Sequence, residues 1–155
     1  MKSDNSIQDI VQRAARTAPV KELVGRIESR TVTEITSLAG SAFALYQSVV
    51  ARKMGGVHIC VAEDRDAAAY LAGDLYGLAD KERVMFLPSS YKRSICYGGE
   101  DASSVVQRTA ALEAVRNHQG GYLIVCTYPE ALAESVDVEG LLATTGVSLS
   151  DGEEI

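Results

Sequence analysis

GGYLIVCTYPEAL, residues 120–132, decides how the chain folds. A strand with one wet face alternates apolar and polar residues, whereas a strand covered on both faces of a parallel sheet reads as a continuous apolar run. Tyr122 to Thr127 is such a run, bounded by a glycine pair and by Pro129, which suits the first turn of a short helix. RVMFLP (83–88) has the same character, and VHICVA (57–62) and VTEITSL (32–38) are also strand-like. Helices fit the intervals Ser41 to Met54, Asp64 to Ala79 and Ser103 to His118. The glycine pairs at 55–56 and 120–121 mark helix ends, where glycine tolerates a left-handed cap. Strands alternating with helices predict an α/β fold: a parallel sheet with helices on both faces, joined by right-handed crossovers.

Ahead of this region, residues 1–30 read as a helical segment. Ser6 is a candidate cap, with Ile7, Ile10, Val11 and Ala14 at helical spacing. A second helix opens near Pro19 and carries Val20, Leu23, Val24 and Ile27. The length of 155 residues suits one domain with a proper core. No apolar run approaches the roughly 20 residues of a membrane helix. The polar, acidic start is unlike a signal peptide, so the cytoplasm is the expected location, away from any membrane.

Three cysteines, Cys60, Cys96 and Cys126, are too few and too scattered for a disulfide framework or a metal site. Cys60 and Cys126 sit in apolar runs and read as small core residues. Net charge is −6, and the densest basic cluster is Tyr91-Lys92-Arg93, so this chain alone is expected to bind duplex DNA weakly or not at all. SSYKRSICYGGEDA (89–102) is a connection long enough to invite a function. TTGVSLSDGEEI (144–155) resembles a strand that begins with nothing after it to pair.

The turn at Gly40 raises a chemical question. A working phosphate loop follows G-x-x-x-x-G-K-[ST]: glycines expose backbone N–H groups, the lysine meets phosphate, and the hydroxyl holds magnesium. Registered on SLAGSAFA (37–44), the pattern places Ser37 and Ala42 at the glycines, Phe43 at the lysine and Ala44 at the hydroxyl. Gly40 alone keeps the loop's character. These residues leave no handle for tight ATP binding, and Phe43 is expected to fill the space a lysine would cross, lying at least partly against apolar neighbours. From these residues alone, a chance glycine at a strand-to-helix turn is the simpler explanation.

Other motifs are weaker. Glu63, Asp64 and Asp66 follow a strand and could hold magnesium, but acids there also favour a helix N-terminus, which is the preferred role. Arg108 lies near the apolar face of its helix, four residues before Leu112, and its stem is expected to cover the core edge. A small α/β enzyme would need Glu63, Tyr91 and Tyr128 to converge at the strand C-termini.

Residues 32–155 resemble the N-terminal region of the bacterial transcription-repair coupling factor family (Mfd), whose first domains are similar to those of the excision-repair helicase UvrB. ITSLAGSAFALYQSVV stands where UvrB-type proteins carry a phosphate loop and its helix. VHICVAEDRDAAAYLAGDL and GGYLIVCTYPEALAESV are similar to the strand-and-helix units that follow, and the last twelve residues to the opening strand of the next, UvrA-binding domain. The resemblance implies a RecA-like P-loop NTPase fold of the UvrB domain 1a type with a degenerate phosphate loop, because the UvrB-like part of this family has lost its nucleotide site. It turns Gly40 from a chance glycine into a relic.

The implied domains are a helical segment 1–30, a UvrB-like α/β domain 31–140 and the start of a truncated UvrA-binding domain 141–155. The implied role is a non-catalytic module in nucleotide-excision repair. The parent would use ATP and Mg in a motor lying beyond this chain, and would engage UvrA, stalled RNA polymerase and duplex DNA. The connection at 89–102 is too short for the long hairpin with which UvrB probes damage. An active UvrB-type ATP-binding helicase domain is the alternative, and Phe43 and Ala44 oppose it.

Overall fold

A computed structural model describes residues 4–30, 32–90 and 102–136. The connection at 91–101, with Tyr91, Lys92, Arg93 and Cys96, and the segment 137–155 lie outside the described residues.

Two helices open the chain, α1 (Asp4–Arg16) and α2 (Ala18–Glu28). Ser6 falls inside the first turn of α1 and does not precede it, while Pro19 occupies the first turn of α2, where its missing N–H costs nothing. After α3 (Ala42–Met54) come β1 (Gly56–Val61), α4 (Arg65–Leu78) and, after a 3-10 turn at Lys81–Arg83, β2 (Val84–Phe86). The chain continues through α5 (Ala102–Arg116), β3 (Tyr122–Thr127) and the short α6 (Pro129–Ala133). The strands form one parallel sheet in the order β1-β3-β2.

β3 is central, and all six of its residues are buried. Its Tyr122, Ile124 and Cys126 face α3 and α4, packing with Ala44, Ala51, Ala72, Leu75 and Cys60. Its Leu123 and Val125 face α5, packing with Ala111 and Leu112. Helices therefore cover both faces of β3. Cys60 and Cys126 stand in register on adjacent strands as buried free thiols, and their contact together with burial pushes the Cys126 thiol upward.

α3 has a second buried side. Val49, with Leu45 and Tyr46, packs against Val11, Ala14 and Val20 of the two opening helices. Ala44, Ser48 and Ala51 of α3 are buried as well as Val49 and Val50. The helix is sandwiched between two layers, so a single stripe cannot describe it.

VTEITSL is the principal correction. Residues 32–39 form no strand, and Val32 and Ile35 remain exposed. Alternation supplies a suitable surface, but a strand exists only where a neighbour completes its ladder. Among the described residues β1 pairs with β3 alone.

Candidate functional site

The corner before α3 is built from backbone shape. Ser37 and Gly40 both have left-handed backbones, with φ of 64° and 55°. Glycine adopts this conformation freely; a serine does so at a cost of about 1–2 kcal/mol. The Ala42 N–H donates to the Ala39 carbonyl at 3.2 Å, closing the turn, and Ser41 sits at the N-cap without a side-chain hydrogen bond to the helix. Ala44 is 1% exposed and belongs to the sheet-facing core, so its methyl points away from the mouth of the turn. Phe43 is 40% exposed, so it is covered in part. Position 43 follows the turn on the outer side of α3, and the inner positions are already taken by Ala44 and Val49.

At the C-terminal ends of the strands, Asp64 caps α4 by accepting from the Ala67 N–H at 2.8 Å, as the preferred role required. Glu63 is exposed, whereas Tyr128 is 5% exposed and its hydroxyl accepts from the Ser89 N–H at 2.9 Å. The Tyr128 hydroxyl is thus committed to the Ser89 backbone, and Tyr91 lies outside the described residues. Among the described residues no group of three or more His, Cys, Asp or Glu side chains is placed to hold a metal.

Arg108 corrects the sequence expectation most sharply. It is 4% exposed, and its whole head is engaged, not just its stem. Nη1 donates to the Pro88 and Ala131 carbonyls at 2.9 and 3.0 Å, and Nη2 to the Glu134 carbonyl at 3.1 Å. Nε lies 3.4 Å from the Glu134 carboxylate, whose other oxygen accepts from the Ser90 N–H at 2.9 Å. One guanidinium thus ties the end of β2 to both the start of the 89–102 connection and the end of α6. The planar fork makes this possible, because its five donors point in fixed directions.

A second polar knot closes the opposite end of the sheet. The Tyr122 hydroxyl donates to Asp80 at 2.8 Å and accepts from the Asp80 N–H at 3.0 Å. Arg52 and Arg83 both lie over the Tyr122 ring, 5.5 and 5.4 Å from its centre. A cleft of about 550 Å³ opens beside it, lined by Ile7, Val11, Arg52, Leu78 and Asp80.

Both knots hold a carboxylate below its ordinary range. The Tyr122 hydrogen bond is the main cause at Asp80, with burial opposing it and Arg52 adding to it. At Glu134 burial alone would raise the carboxyl, but the bonds from Ser90 and Ser89 and the Arg108 charge outweigh it. A depressed carboxylate adds stability while ionised and loses it as pH falls through the ordinary carboxylate range toward the folded value. Urea unfolding should therefore be flat from about pH 6 to pH 8 and weaken below about pH 4.5. Glu134→Gln should reduce that acid loss while lowering stability at neutral pH; an unchanged acid loss would show that this carboxylate is not involved.

No described helix is long and apolar enough to cross a membrane. Compared with known proteins, the chain matches no family model, no curated protein and no solved structure.

Proposed function

We propose that the chain is a non-catalytic, UvrB-like module of a transcription-repair coupling factor. Its sheet would be a RecA-like scaffold of the P-loop class that holds an adjoining UvrA-binding domain in position. The observation that supports this most is the backbone of Ser37. At the register where a phosphate loop has its first glycine, a serine keeps a glycine-like φ of 64°. A turn with no phosphate to cradle has no chemical need for that strained shape. Descent from a working loop supplies the reason. Phe43 and Ala44 at the lysine and hydroxyl positions favour a scaffold over an ATP-binding helicase domain.

UvrA capture tests this reading. A parent polypeptide continued through the adjoining domain should retain UvrA, and residues 1–155 alone should not. Equal capture by both would place the binding surface on this α/β domain and overturn the assigned role. Mg-ATP should bind residues 1–155 no better than roughly millimolar in calorimetry. A low-micromolar constant would instead favour the active helicase domain.

A further inference from the structure

The sheet brings together two thiols that the sequence keeps far apart. Cys60 of β1 and Cys126 of β3 are register partners on hydrogen-bonded parallel strands, and both are free. Side chains alternate across a strand, and these two lie on the face covered by α3 and α4, in one cluster with Ala72 and Leu75. Neighbouring strands run about 4.8 Å apart, inside the Cα separation of about 4.4–6.8 Å that a disulfide spans. The register pairs on either side carry no such chemistry: His58 stands beside Ile124, and Val61 beside Thr127.

The two thiols differ in their surroundings. Cys126 is 0% exposed on the central strand, whereas Cys60 is 6% exposed on a strand that, among the described residues, is paired on one side only. The hydrogen bond from Cys126 pulls the Cys60 thiol below its ordinary value, with burial opposing, so Cys60 has the greater thiolate character. A more acidic, more accessible thiol beside a second one is the arrangement of an attacking and a resolving cysteine.

We propose that Cys60 and Cys126 form a redox modification site, a dithiol that hydrogen peroxide converts reversibly to a cross-strand disulfide. The Cys60 sulfur attacks one peroxide oxygen, the O–O bond breaks, and a sulfenic acid and one water result. The Cys126 sulfur then attacks the Cys60 sulfur, the S–O bond breaks, and the hydroxyl leaves with the Cys126 proton as a second water. The two thiols together lose two electrons and two protons, and the peroxide becomes two waters. The new bond ties β1 to the centre of the sheet, one residue pair before both strands end. An added dithiol restores the two thiols by exchange.

Peroxide oxidation of folded residues 1–155, stopped by alkylating the remaining thiols in urea, tests the proposal. Trypsin leaves the cysteines in separate peptides, 54–65, 94–108 and 117–155, so mass spectrometry identifies every linkage. The main product should join 54–65 to 117–155, two hydrogens lighter than the free peptides, and dithiothreitol should reverse it. Its yield should exceed either linkage to 94–108 at least about tenfold, because the fold holds these two sulfurs together. Oxidation begun in urea should lose that preference. Cys96→Ser should form the same bond at a rate within about twofold of the parent, since the third thiol takes no part. In Cys126→Ala, dimedone should trap a sulfenic acid at Cys60; in Cys60→Ala it should leave Cys126 unlabelled. A folded chain whose Cys60 and Cys126 stay fully alkylatable overturns the proposal. So does a chain that links mainly through Cys96, or one with the same linkage pattern folded and in urea. Dimedone labelling of Cys126 but not Cys60 overturns the assigned order of attack.

Discussion

Arg108→Met is expected to destabilise the chain by about 3–5 kcal/mol, the range found when one member of a buried ion pair is removed. Methionine fills a similar volume, so the loss isolates the polar work of the guanidinium. Three carbonyls, those of Pro88, Ala131 and Glu134, lose their donor, and the Glu134 carboxylate keeps its burial without its cation. A typical domain has only about 5–15 kcal/mol in total, so the variant should sit near the edge of folding. Arg108→Lys should recover only part of the loss, because an ammonium cannot serve three carbonyls and a carboxylate from one fixed fork. Arg13→Ala is the control: that arginine is 79% exposed in its pair with Asp9, and its loss should stay within about 0.5 kcal/mol. Urea unfolding followed by circular dichroism measures all three. A methionine variant no weaker than the control would mean that the buried network contributes nothing.

Gly55→Ala should cost about 2–3 kcal/mol, while Gly25→Ala should raise stability by about 0.5–1 kcal/mol. The two glycines are chemically identical and differ only in their surroundings. Gly55 ends α3 with φ 65° and ψ −171°, a region essentially reserved for glycine. A methyl there would stand 3.0 Å from the Gly121 carbonyl oxygen, which already accepts from the Gly56 N–H at 2.7 Å. That oxygen is backbone and cannot swing aside. Gly25 lies inside α2, with nothing within 4 Å of an added methyl, so alanine there removes only unfolded-state freedom. Opposite signs in thermal melts would confirm the contrast. A neutral Gly55→Ala would show that the two glycine pairs do not need their close approach.

Features fixed by local chemistry were legible in the sequence. The continuous run at 122–127 became a strand buried at every residue, and Asp64 took its cap. Features that depend on partners distant in sequence were not. Residues 32–38 carry a strand's alternation, but no neighbour among the described residues completes a ladder there, and the pattern alone cannot make one. Arg108 was visible as an arginine on an apolar helix face. That position signalled a buried cation in need of acceptors, yet its acceptors come from three segments that only the fold assembles. Phe43 was read as a space-filler from the phosphate-loop register, and at 40% exposed it is covered only in part.

The strand order has a consequence for how the chain is made. Among the described residues β1 and β2 do not pair with each other; each pairs only with β3, which follows both of them in sequence. During synthesis from the N-terminus, α1 and α2 can meet α3 soon after it emerges, since those contacts are local. The sheet has no such early start. Until Thr127 has left the ribosome, VHICV waits without its hydrogen-bonding neighbour, and long-range pairing of this kind is slow to form. A nascent chain stalled short of the last strand would therefore present helices already packed beside an unmade sheet, with its most adhesive segment exposed.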